Sequence, residues 1–358
     1  MTAAAKKALP SGLLEDYDPG GDFCELAGTD DAGHGDEIRR RLNELDIAGL
    51  KRRARDAERE LFNLGITFTV YSERDAIDRI LPFDVIPRIL SKEDWRIIET
   101  GVTQRVEALN LFLNDIYHDQ HILNDGTVPA DLVTGNKQYV DAMRGVDVAH
   151  GTYVHICGTD LVRDETGAFC VLEDNCRAPS GVSYVIENRH LMMRAFPDLA
   201  DGIPIANVDE YGARLRGALN DVAPQGVSGP QVALLSPGVF NSAYFEHVFL
   251  AREMGAPLVE GRDLVVENDR VYMRTTSGKE QVHVIYRRIN DDFLDPEVFN
   301  PTSMLGVPGL FAAYAKGNVT LANAIGTGVA DDKAVYAYMP RIIRYYLKQD
   351  PIIENVPT

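Results

Sequence analysis

The residues best equipped for chemistry lie between Asp160 and Asn175. Residues 152–163 and 168–175 read as two strands joined by Asp164-Glu165-Thr166-Gly167, a stretch of turn-forming residues. On the returning strand Phe169, Val171, Glu173 and Asn175 share one face because side chains alternate with period two, and Asp174 points the other way. A two-residue turn at Thr166-Gly167 sets Asp160 opposite Glu173, whereas a four-residue loop sets it diagonal on the same face, within about 7–8 Å. Either register gathers Asp160, Glu173 and Asn175. Two carboxylates and an amide oxygen with no base beside them repel unless positive charge sits among them. A hard divalent cation such as Mg²⁺ would supply it, taking oxygen ligands and keeping waters and phosphates as the others. A polar strand face with merely solvated charges accounts for the same residues.

Arg177-Ala178-Pro179-Ser180-Gly181 follows as a tight turn that brings a guanidinium beside the cluster. Arginine there can hold a carboxylate or a developing acyl phosphate in a bidentate fork, and a surface arginine paired to Asp174 is the plainer reading. Cys170 and Cys176 have no evident partnering histidine and read as small core residues. His155 differs in parity from Asp160, so it faces away from the acids and disfavours a metal-dependent hydrolase built on them.

These residues need elements to hold them. Leu50, Ala54, Ala57 and Leu61 recur at helical spacing from Asp46 to a stop at Gly65, and residues 66–71 alternate as a strand. Ser91 and Asp94 form a capping-box-like start to a second helix, whose Trp95, Ile98, Val102, Leu109, Leu113 and Ile116 form a core stripe. Between them, Pro82 to Arg88 is an extended turn whose Asp84 and Arg88 are candidate functional residues or, as the plainer reading, a local ion pair. Further helices are expected at 185–195 and 242–253, with strands at 231–235, 256–258, 263–274 and 281–288. Strand, loop, helix, strand at that spacing is a βαβ unit, so the later half reads as a small parallel-sheet domain. Its loop Ser236 to Ser242 lies at a strand's carboxyl end, where open α/β sheets bind ligands, so Asn241 and Ser242 are candidate substrate contacts or an ordinary N-cap.

Composition narrows the field. The chain has 358 residues and a net charge of −18, with 45% hydrophobic and 25% charged residues, which is globular and acidic. Polyanions are held by Lys and Arg, so nucleic acid is a poor partner for it. Four irregularly spaced cysteines form neither a disulfide framework nor a zinc site, and fit a reducing cytoplasm. No stretch reaches about 18 consecutive apolar residues, and no signal peptide is legible.

Several long stretches now resemble one family. Residues 65–71, 82–89, 108–117, 171–184 (Val-Leu-Glu-Asp-Asn-Cys-Arg-Ala-Pro-Ser-Gly-Val-Ser-Tyr), 259–266, 286–295 and 323–334 are similar, in order, to the circularly permuted ATP-grasp proteins related to glutathionylspermidine synthase. The resemblance runs from about residue 45 to the end. It implies an α/β, circularly permuted ATP-grasp-like fold with a small Rossmann-like βαβ domain. The expected organisation is an acidic mobile leader (1–45), an ATP-grasp-like lobe with the acidic hairpin (46–228), a Rossmann-like domain (229–320) and the start of a nucleotide-binding lobe (321–358). It further implies an ATP-dependent ligase that activates a small-molecule or peptide carboxylate as an acyl phosphate and passes it to an amine. In that scheme Asp160, Glu173 and Asn175 inherit the Mg²⁺ role, Arg177 lies near the transferred phosphoryl group and Lys333 faces the nucleotide. Arg287 and Arg288 are adjacent on a strand, so one faces in as an anion contact and one out. Family members continue past Thr358 into a lysine-bearing strand and a Gly-rich loop. Ala324 to Gly328 is no substitute for that loop, so the chain reads as a fragment or a shortened member, expected to bind ATP weakly or undetectably. The competing reading is a catalytically incomplete ligand-binding or scaffold protein of the same fold.

Overall fold

The computed structural model describes residues 13–14, 17–18, 20–21, 23–26, 34–71, 76–80 and 83–358, with backbone alone for 67–71 and 76–80. In chain order its principal elements begin with helices α1 (His34–Asn43) and α2 (Ile47–Asn63), then strands β1 (Thr67–Tyr71) and β2 (Ala76–Ile80). Helix α3 (Lys92–Tyr117) precedes the hairpin strands β3 (Gly158–Arg163) and β4 (Phe169–Asn175), and α4 (Val182–Ala195) and α5 (Tyr211–Asp221) follow. The later half runs β5 (Val232–Leu235), α6 (Tyr244–Met254), β6 (Leu258–Val259), β7 (Leu264–Glu267), β8 (Arg270–Thr275), β9 (Gly278–Val282), β10 (Val284–Arg287) and β11 (Thr320–Ala322). It ends with α7 (Lys333–Tyr336), α8 (Met339–Leu347) and β12 (Glu354–Asn355).

Two compact units emerge: 1–96 with 163–169 and 184–208, and 97–162 with 170–183 and 209–358. In the first, Ile38, Leu42, Leu50, Phe196 and Leu199 form a small core, and α2 is capped by the Asp46 side chain, which accepts from the Gly49 N–H. Most of the expected mobile leader lies outside the described residues, but its end forms α1. Arg88 pairs with Glu25 rather than with Asp84, whose carboxylate accepts from the Ile86 N–H two residues on. Short Asp side chains favour that local turn bond over a partner further away.

The second unit holds the larger core, built from α3, the parallel sheet and α8. The α3 start is the expected reciprocal cap: Ser91 Oγ accepts from the Asp94 N–H and the Asp94 carboxylate accepts from the Ser91 N–H. Ile98, Leu109, Leu113 and Ile116 are buried, but Trp95 is 56% exposed. A helix of 26 residues is about 39 Å long, and its first turn precedes the buried stretch that opens at Ile98. The sheet order is β11-β10-β5-β6, all parallel, with α6 as the crossover from β5 to β6. This is the βαβ unit, and β5 is buried at all four residues, as parallel strands covered on both faces are. Helix α6 starts at Tyr244 rather than Ser242 and ends at Gly255, whose φ of 61° satisfies the last carbonyls in the left-handed region. β7, β8 and β9 form an antiparallel meander, and β12 adds in parallel to β4 in a sheet ordered β12-β4-β3. Among the described residues no helix is long and apolar enough to cross a membrane.

Candidate functional site

The hairpin tip is a three-residue loop, neither of the two lengths expected: the Gly167 N–H donates to the Asp164 carbonyl and the Asp164 N–H to that of Ala168. At the hairpin base Thr159 meets Asp174, Asp160 meets Glu173 and Cys157 meets Cys176. Tip and base agree only if β4 carries one residue more than β3 between them, a bulge that places Val171 and Asp174, three apart, both in buried positions.

Period-two alternation then sorts the acids. Asp174 turns inward, where the Arg105 guanidinium of α3 grips it at 2.5 Å, with the two side chains 2% and 1% exposed. The Thr159 hydroxyl also donates to Asp174, and Arg105 reaches the Asn355 amide oxygen on β12 at 2.9 Å. Glu173 turns the other way, with Asp160 and Asn175 in hydrogen-bonding reach. Burial, then the neighbouring Glu173, pushes the Asp160 carboxyl up, whereas the Lys333 ammonium, 3.3 Å away, pulls Glu173 down. The pair is therefore short of positive charge on one side and supplied with it on the other.

The segment before α7 docks along the base of β4. Asp331 accepts from the Cys176 N–H at 2.5 Å and faces Arg177 Nε at 3.6 Å. Asp332 caps α7 by accepting from the Ala334 N–H, which sets Lys333 as the first helical residue, aimed at Glu173. Arg177 therefore pairs with Asp331, not Asp174, which Arg105 already neutralises. Its Nη1 donates to the Gln138 side chain at 3.2 Å, and among the described residues most of its five donors have no hydrogen-bond acceptor. Burial pushes the Asp331 carboxyl up to about 6.

Arg287 and Arg288 depart from the expected alternation, because both are buried. A strand between two others, covered on both faces, has no wet side. Arg287 donates to the Asn323, Ile289 and Ala324 carbonyls and pairs with Asp291. Arg288 donates to the Pro179 carbonyl, Tyr286 Oη and Glu246, but its Nε is buried with no hydrogen-bond partner among the described residues. Glu246 is a residue that sequence reasoning missed. From the first turn of α6 it accepts from Ser180 Oγ, the Gly181 N–H, and the Ser183 N–H and Oγ, and so ties the turn after Arg177 to the βαβ unit. Asn241 accepts from the Ala243 N–H, while Ser242 provides no cap. His155 lies away from the acids. Its N–H donates to Asn323, and burial pulls its imidazole down to about 4. Ala324, Ile325 and Thr327 are buried in the core, so this glycine-bearing stretch is no phosphate cradle.

Among the described residues no three His, Cys, Asp or Glu side chains converge. The oxygen set of Asp160, Glu173 and Asn175 nonetheless fits a hard cation that retains waters and phosphates, since Asp160 is exposed and Glu173 half-buried.

Residues 87–358 match the family model described as a circularly permuted ATPgrasp. The chain belongs to that family. An uncharacterised protein of Synechocystis sp. is 50% identical over 96% of this chain and 72% of its own length. One of Mycobacterium tuberculosis is 49% identical over 88% of this chain and 57% of its own length. A Frankia alni protein, provisionally named glutamate–cysteine ligase 2-3, is 39% identical over 97% of this chain, which spans only 40% of that protein. The fold is also that of a glutathione synthetase-like effector from Globodera pallida solved in apo form, at a TM-score of 0.54 and 13% identity, covering 85% of this chain and 69% of that one.

Proposed function

We propose that this chain carries the nucleotide- and carboxylate-activating site of an ATP-dependent carboxylate–amine ligase. The observation that carries the reading is the gathering of Asp160, Glu173 and Asn175 on one face with Lys333 against Glu173, in a member of the circularly permuted ATP-grasp family. In this reading the three oxygen donors hold Mg²⁺, which when bound neutralises nucleotide phosphates. Lys333, 72% exposed, leaves Glu173 for a phosphate without breaking any buried contact. Arg177 offers its free donors to charge developing on the transferred phosphoryl group and the acyl phosphate it forms. Arg287 is a positioning residue that holds the Asn323 segment, while Arg288, with Nε unbonded, is the anion contact of the two. Asn241 and Ser242 contact the carboxylate substrate, close to the turn that Glu246 secures.

The test incubates the protein with ATP, Mg²⁺ and a panel of small-molecule and peptide carboxylates. ADP release that needs both a carboxylate and an added amine supports a ligase. Saturable ligand binding without turnover would favour a binding protein of the same fold.

A further inference from the structure

Cys157, just before β3, and Cys176, just after β4, stand opposite each other with their Sγ atoms 3.7 Å apart. Both backbones are pinned by one side chain. The Asn323 amide oxygen accepts from the His155 and Ile156 N–H groups, and its amide nitrogen donates to the Ile156 and Cys176 carbonyls. Asn323 thus fixes the two cysteines in register. A disulfide needs about 2.05 Å between sulfurs, so closure is a movement of roughly 1.7 Å at a site already aligned for it. Cys170 is no rival, since six residues along a strand separate it from Cys176 by about 20 Å.

We propose that Cys157 and Cys176 form a peroxide-sensitive dithiol that closes to a reversible disulfide. The half-buried Cys157 is the thiol an oxidant reaches, because Cys176 is fully buried. Cys157 sulfur attacks a peroxide oxygen, the O–O bond breaks, and a sulfenic acid and one water form. Cys176 sulfur then attacks the Cys157 sulfur, the S–O bond breaks, and a second water leaves. Two thiols lose two electrons and two protons, and the peroxide is reduced by the same two electrons. Because Cys176 lies between Asn175 and Arg177, closure draws on both. The inference stands independently of the ligase reading.

The test treats the full chain with one equivalent of hydrogen peroxide, alkylates the remaining thiols and maps peptides by mass spectrometry without reduction. A Cys157–Cys176 linked peptide, lighter by two hydrogens and lost on adding dithiothreitol, is expected as the dominant product in wild type and in Cys170→Ser, and absent in Cys157→Ser. Oxidation confined to Cys24 or Cys170, linkage of Cys157 to Cys170, or stepwise over-oxidation of Cys157 with no linked peptide would each overturn the proposal. Wild type alone decides it if a variant fails to fold.

Discussion

Replacing Asp174 by asparagine keeps the shape of the side chain and removes the charge that Arg105 sits against. Both groups are almost fully buried, so Asp174→Asn leaves the guanidinium without a balancing charge, facing neutral groups: the amide oxygen at 174, the Asn355 oxygen and the Tyr336 ring, 5.9 Å from its centre. Removing one member of a buried pair costs about 3–5 kcal/mol. For 358 residues the unfolding entropy is about 0.75 kcal/mol per kelvin near 60 °C, so the expected fall in Tm is about 4–7 °C if the chain unfolds as one. The pair Arg105→Met with Asp174→Leu removes both charges and is expected to cost less than Asp174→Asn alone, because no uncompensated charge remains. Scanning calorimetry on Asp174→Asn, on the singles Arg105→Met and Asp174→Leu, and on their double reads the coupling. A Tm for Asp174→Asn within about a degree of wild type, or a double variant as unstable as the sum of its singles, would refute the argument that this pair locks the strand carrying Glu173 and Asn175.

Lys333→Ala removes a cation that competes for Glu173, so Mn²⁺ affinity without nucleotide should rise, by a factor of about 2–5 given how little an exposed pair contributes; titration calorimetry showing a fall would contradict this. The Asp331 carboxyl, raised to about 6 in the fold against about 3.9 unfolded, contributes stability that is full below about pH 3.9 and is lost as pH rises through 6. Asp331→Asn should therefore gain on wild type between pH 4 and 7, by at most about 2–3 kcal/mol, and a Tm difference that does not change with pH would count against it. Glu246→Ala takes the carboxylate from buried Arg288, which keeps the Pro179 carbonyl and Tyr286 Oη, and leaves four donors of the 180–183 turn without their acceptor, so a loss of at least about 3 kcal/mol is expected in denaturant unfolding; a neutral result would remove Glu246 as the tie between that turn and α6.

The sequence made the hairpin legible because its logic is local: turn residues fix a reversal and alternation sorts Glu173 from Asp174. The βαβ unit was legible for the same reason, as a four-residue apolar strand followed by helical spacing. What stayed hidden depends on chain segments far apart. Arg105 meets Asp174 across 69 residues and Glu246 meets Ser180 across 66, distances at which no spacing rule operates. Arg287 and Arg288 misled because alternation predicts one wet face, and a strand covered on both sides has none. Trp95 misled because helical periodicity does not say where along a long helix the core begins.

In the proposed ligase the face carrying Asp160, Glu173 and Asn175 holds a divalent cation. Isothermal titration of Mn²⁺ into wild type and Glu173→Gln tests it most directly, with thermal unfolding run in parallel. A half-buried charge-to-amide change of this kind costs the fold about 0.5 kcal/mol or less. The predicted result is at least about tenfold weaker Mn²⁺ binding in the variant, or about 1.4 kcal/mol, with Tm unchanged. Equal affinity in the two proteins would contradict the assignment of this face as the metal site.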